Sequence, residues 1–144
     1  MNAVSFFVPG EVVGKGRPRF TTVGRYTKAF TPEKTTNYEN LVKLSYQEAY
    51  RDFRFPDDAQ LVMEIVAVFP IPKSTSKKRA ALMENGEIRP AKKPDCDNIA
   101  KAICDGLNLV AYYDDTQIVE LCIVKRYENG DLLPGAYVTI RERE

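Results

Sequence analysis

The chain has 144 residues, 44% of them hydrophobic, which suits one domain with a real core over 1–144. Lysine and arginine nearly cancel aspartate and glutamate to leave +1, so a general polyanion-coating protein is not indicated and any nucleic-acid surface must be local. Histidine is absent, which removes serine–histidine and cysteine–histidine triads and most zinc or iron sites, leaving carboxylates, lysines and hard cations as reagents.

The opening run Val4 to Val8 is rich in β-branched and aromatic residues and stops at Pro9-Gly10, which predicts a strand. No basic leader precedes it and its apolar run is too short for a membrane span, so a cytoplasmic location without membrane attachment is expected. Gly14 to Arg19 reads as a glycine-broken basic loop, and Phe20 to Phe30 as one or two short strands. Thr31-Pro32-Glu33 supplies an N-cap, a proline and an acid ahead of Tyr38, Leu41, Val42, Ser45 and Tyr46 at helical spacing, predicting a helix over Pro32 to Tyr50 capped by Thr31.

Leu61 to Phe69 is almost wholly apolar and predicts a central strand buried on both faces. Ser74-Thr75-Ser76 before Lys77 to Met83 predicts a capped basic helix closed at Asn85-Gly86. A second amphipathic helix follows from about Asn98 to Leu109. Gln117 to Lys125 then alternates as a strand with Val119, Leu121 and Ile123 on one face. After the Asn129-Gly130-Asp131 turn, Ala136 to Ile140 returns antiparallel. This order predicts an α+β fold with a mixed sheet and about three helices. Cys96, Cys104 and Cys122 have no C-x-x-C spacing, so neither a disulfide framework nor a zinc knuckle is indicated.

The chemistry concentrates in Lys93-Pro94-Asp95-Cys96-Asp97-Asn98-Ile99-Ala100-Lys101. If the segment after Lys93 stays extended, Asp95 and Asp97 at i and i+2 project to one side, and such a pair is relieved by an oxygen-liganded divalent cation. Further on, Ile99, Ala102, Ile103, Gly106, Leu107 and Val110 form an apolar helical stripe opposite Asp97, Lys101 and Asp105. Asp114-Asp115 is a third source of carboxylate. Each element also has a plain structural reading: Asp97 as an N-cap, Lys101 in surface i,i+4 pairs, Asp114-Asp115 as a turn. Lys15, Arg17 and Arg19, with Lys73, Lys77, Lys78, Arg79, Lys92 and Lys93, place positive charge on either side of the acids, an arrangement a phosphodiester nuclease needs.

Together the series Lys93-Pro94-Asp95-Cys96-Asp97-Asn98, Lys101, Asp105-Gly106-Leu107 and Asp114-Asp115-Thr116-Gln117-Ile118 closely resembles the RusA family of Holliday junction resolvases, as does the opening Lys15-Gly16-Arg17-Pro18-Arg19. The resemblance runs from about Val4 to Lys125. It implies a homodimeric endodeoxyribonuclease of phage or prophage type that resolves four-way DNA junctions by paired nicks leaving 5'-phosphate ends. It further implies Mg²⁺, replaceable by Mn²⁺, at Asp95, Asp97 and Asp115, a functional Lys101, and DNA contacts from Lys15, Arg17, Arg19 and Lys93. Cys96 departs from the family, standing where an aliphatic residue is usual. The competing readings are a non-cleaving branched-DNA-binding protein of the same fold, a metal-dependent phosphohydrolase of small molecules, and a purely structural domain.

Overall fold

The computed structural model describes residues 3–144. Strand β1 (Ala3–Pro9) leads through the basic loop to a hairpin of β2 (Arg19–Val23) and β3 (Tyr26–Phe30). Helix α1 (Glu33–Tyr50), strand β4 (Leu61–Phe69), helix α2 (Lys77–Glu84) and helix α3 (Cys96–Leu107) follow. A short 3₁₀ turn at Asp115–Gln117 then opens β5 (Ile118–Tyr127), and β6 (Gly135–Glu142) ends the fold.

The main sheet runs β1-β6-β4-β5, with β6 antiparallel to both neighbours and β4 parallel to β5. The expected α+β architecture with a mixed sheet and three helices is what forms. The turn at Asn129 does not fold β6 back onto β5, however: β6 crosses over and inserts between β1 and β4, where both of its edges are hydrogen-bonded.

One face of the sheet carries Val4, Phe6, Val8, Met63, Ile65, Ala67, Val138 and Ile140, and α1 and α3 close over it with Tyr38, Val42, Tyr46, Ile99, Ile103 and Leu107. Burying these side chains is the main driving force for the fold, at roughly 1.5–3 kcal/mol for each large one before entropy is subtracted. The other face is only partly covered. Val62 and Val68 are buried at the ends of β4, but Glu64 between them is exposed, so the strand is not buried on both faces along its length. β5 is an edge strand with a register shift opposite Leu61/Val62, and its Val119 and Leu121 are exposed instead of facing the core with Ile123.

Helix α1 begins one residue late for the expected cap. Pro32, at φ −55° and ψ 143°, occupies the N-cap position and no side chain caps it, so Thr31 does not serve. The basic helix does form as its sequence predicts: Ser76 Oγ accepts from Arg79 N at 3.3 Å and Gly86 leaves the helix with φ +88°. Helix α3 starts at Cys96 instead of Asn98 and ends at Leu107, because Leu109 turns to φ +66°. At the crossing of α1 and α3, a Cβ on Gly106 would lie 2.9 Å from the Glu39 carbonyl oxygen and 3.1 Å from Val42 Cβ. Only glycine admits this approach, and it sets Glu39 of α1 beside Asp105 of α3.

Candidate metal and nucleic-acid site

Asp95 stands at the N-cap position of α3 with extended backbone (φ −70°, ψ 153°), yet its side chain makes no capping hydrogen bond. Since the helix begins at the next residue, Asp97 lies in the first turn and is not the N-cap. The extended i, i+2 geometry expected of the two acids is therefore lost after Asp95. Both are exposed at the positive end of the α3 dipole, and among the described residues neither carboxylate has an ion-pair partner. Ile99, Ala102, Ile103 and Leu107 are buried as the stripe requires, and Lys101 and Asp105 point the other way.

The acids of the Asp114-Asp115 pair are in different situations. Asp114 Oδ2 accepts from Thr116 N at 3.1 Å and forms a capping box with Gln117, and these bonds to Thr116 hold its carboxyl below the ordinary range. Asp115 is the first residue of the turn but its carboxylate takes no part in the capping: its N–H donates to Asn108 Oδ1 at 2.9 Å, and its Oδ2 lies 3.8 Å from Lys101 Nζ. Gln117 braces the segment. Its Oε1 accepts from Tyr113 N and Asp114 N at 2.9 and 3.2 Å, and its Nε2 donates to the carbonyls of Pro56 and Ala59 at 2.9 and 3.1 Å.

Behind Asp115 runs a chain of alternating charge. Lys101 Nζ donates to Asp105 Oδ1 at 2.9 Å, Asp105 Oδ2 lies 3.1 Å from Lys15 Nζ, and Lys15 donates to Glu39 Oε2 at 2.7 Å. The bond to Asp105 raises the Lys101 pKa against its partial burial, with Asp115 adding to the effect. For Lys15, burial works the other way, but the bonds to Glu39 and Asp105 outweigh it and raise the pKa overall. Lys15 N also donates to the Asn98 carbonyl at 2.8 Å and Gly16 N to Thr35 Oγ1 at 2.9 Å, while Gly14 approaches Pro94 too closely for a side chain. The basic loop is thus fastened to the start of α3.

A groove of about 930 Å³ follows this seam, lined by Lys15, Arg17, Arg19, Lys93, Asp95 and Asn98 among others. It gathers the four cations expected to contact DNA, Lys15, Arg17, Arg19 and Lys93, beside Asp95, one of the three acids. Arg17, Arg19 and Lys93 are exposed, whereas the Lys15 ammonium is already engaged. The cations of α2 are exposed but line no part of this groove. Among the described residues, no group of three or more aspartate, glutamate, cysteine or histidine side chains is gathered closely enough to hold a metal ion. By donor chemistry alone Asp95, Asp97 and Asp115 suit a hard cation, since all are carboxylates and the first two have no ion-pair partner among the described residues, but the structure does not bring the three together at one point. Asn108, Gln117 and Glu39 are the supporting residues that sequence reasoning gave no role, whereas the polar stripe already sets Asp105 with Lys101 and that i,i+4 pair forms at 2.9 Å. Gln117 lies inside the recognisable motif and Asn108 directly follows Asp105-Gly106-Leu107, but Glu39 carries no local signal and is found only through the α1–α3 crossing.

A mixed sheet with two helices on one face presents Asp95 in a basic groove, an arrangement compatible with a protein that handles a phosphodiester backbone. Residues 9–141 match the family described as Endodeoxyribonuclease RusA, and the chain is 32% identical to protein YqaN of Bacillus subtilis (strain 168), described as uncharacterized, over 142 residues that cover 99% of this chain and 98% of that protein. The chain belongs to the RusA endodeoxyribonuclease family, whose activity is the endonucleolytic resolution of Holliday junctions. No helix among the described residues is long and apolar enough to cross a membrane.

Proposed function

We propose that this chain is a divalent-metal-dependent endonuclease that resolves four-way DNA junctions by paired symmetric nicks leaving 5'-phosphate ends. The observation that carries this is the groove in which Arg17, Arg19 and Lys93 stand beside Asp95, within a chain matching the family along nearly its whole length. Asp95, Asp97 and Asp115 would hold Mg²⁺, or Mn²⁺ in its place, which supplies an acidified water and neutralises charge on the scissile phosphate. Lys101, positioned by Asp105 and Asp115, presents its ammonium to a phosphate oxygen and stabilises charge that develops there. Arg17, Arg19 and Lys93 hold the flanking phosphates. A phosphate reaching Lys15 would have to displace Glu39 or Asp105, so Lys15 contributes to the DNA surface mainly by anchoring its loop.

A four-way junction has approximate two-fold symmetry, so paired nicks call for a homodimer with one site per subunit. The open β5 edge with exposed Val119 and Leu121 supports such an association. A cytoplasmic location and a phage or prophage setting fit an enzyme of this kind. The test is nicking of a synthetic four-way junction with Mg²⁺ and with EDTA: metal-dependent, symmetric cuts are expected. Junction binding without cutting would favour the non-cleaving reading, and turnover of small phosphate esters with no DNA cleavage would favour the phosphohydrolase.

A further inference from the structure

The β2–β3 hairpin has no place in the core. Among the described residues its strands pair only with each other, and every side chain described in residues 19–30 is exposed, including Phe20 at 71%, Tyr26 at 81% and Phe30 at 45%. A lone two-stranded ribbon is marginal in water, and three open aromatics make it more so, which marks the ribbon as a surface that something else covers. Its charge says what. Between Glu11 and Glu33 the chain contains Lys15, Arg17, Arg19, Arg25 and Lys28 and no acid, although the whole chain carries only +1.

The register sorts these residues. Arg19 pairs with Phe30 and Thr21 with Lys28, so Arg19, Lys28, Phe30 and Tyr26 share one face, while Phe20 lies on the other with Ala29, Thr22 and Thr27. The first face, where cations alternate with aromatics, suits a nucleic-acid strand whose phosphates meet the cations and whose base faces meet the rings, and the second offers the Phe20 ring alone. Arg19 and Pro32, at the two ends of the hairpin, both line the groove that contains Asp95, so the ribbon rises from the groove's rim. A linear duplex hides its base faces by stacking, whereas a branch point interrupts stacking where the arms exchange.

We propose that the 19–30 hairpin is a branch-sensing arm that enters the crossover of the junction held in the groove and stacks Phe20 on one of its faces and Tyr26 on the other, each against a base exposed where the arms part. This inference rests on the junction reading given above and adds the means by which branched DNA is told from linear DNA.

The test measures binding in EDTA, so cutting plays no part, to a four-way junction with 2-aminopurine at the crossover and to a linear duplex of the same length. The native protein and the Phe20→Ala/Tyr26→Ala double variant are compared. The expected result is a rise of at least about tenfold in the junction Kd, a duplex Kd within about threefold of native, and loss of the 2-aminopurine response, with Phe20→Ala/Tyr26→Phe restoring part of both signals. Because the hairpin lies outside the core, thermal melting should not move. A native protein without any preference for the junction overturns the junction reading itself. A native preference that the double variant keeps, or an equal loss on both DNAs, overturns the arm alone. In that last case a concurrent shift from dimer to monomer in sedimentation would assign the hairpin to a contact between copies.

Discussion

Asp105 binds two lysines at once, one on each carboxylate oxygen: Lys101 at 2.9 Å and Lys15 at 3.1 Å, with its own side chain only 17% exposed. One residue thereby fastens the basic loop to α3 and sets the lysine that faces Asp115. Replacing it by alanine leaves two partly desolvated ammonium groups short of a partner, and a loss of about 1–3 kcal/mol is expected in denaturant unfolding, with the midpoint shifted and the slope unchanged. The lower part of that range is favoured because Lys101 is 56% exposed and water screens its share.

The same pairs give the fold an alkaline limit. Both lysines have folded-state pKa values above their ordinary 10.5. Their contribution is therefore complete below 10.5 and lost as pH rises through the higher folded values. Thermal melting from pH 8 to pH 12 should show this loss in the native chain, and Asp105→Asn should show a smaller alkaline decline.

Gln117 ties Tyr113 and Asp114 to the loop at Pro56 and Ala59 through four hydrogen bonds. Gln117→Ala releases the turn that carries Asp115, and a cost of about 1–3 kcal/mol is expected. Junction cleavage should fall by at least about tenfold while junction affinity, set by the groove cations, stays within about threefold. An affinity that falls in parallel with cleavage would place Gln117 in DNA binding instead.

For the groove itself, Arg17→Ala and Arg19→Ala should each weaken binding to junction and duplex, and each should lower the slope of log Kd against log salt by about 1. Lys15→Ala should change that slope less and lower the unfolding midpoint more, because Lys15 is held by Glu39 and Asp105. Titrations at several salt concentrations, with melting curves alongside, separate the two behaviours.

Much of this fold was legible in the chain. The alternating and 3.6-residue patterns locate β1, β4, α1 and α3 because each buries a continuous apolar face, and Ser76 and Gly86 mark the ends of α2 by local hydrogen bonding. What escaped depends on the partner of an element and not on its own sequence. Leu121 looks inward by alternation but lies on an edge strand with little above it. β6 follows a turn signal that says nothing about which strand it pairs with. Asp97 has the chemistry of an N-cap, yet the helix starts two residues sooner than that reading places it. At the candidate site, the motif points to Asp95, Asp97, Lys101 and Asp115, whereas the pairing of Glu39 with Lys15 arises only where α1 crosses α3 at Gly106.

The proposed function requires Asp95, Asp97 and Asp115 to hold a divalent cation where the backbone is cut. Mn²⁺ titration followed by electron paramagnetic resonance, on the protein alone and bound to a four-way junction, tests it most directly. Saturable binding is expected, weakened at least about tenfold by Asp95→Asn, Asp97→Asn or Asp115→Asn. Asp114→Asn, whose carboxylate is committed to Thr116, should remain within about twofold of native. Unchanged Mn²⁺ binding in all three of the first variants, or none in the native complex, would rule out a metal site at these acids.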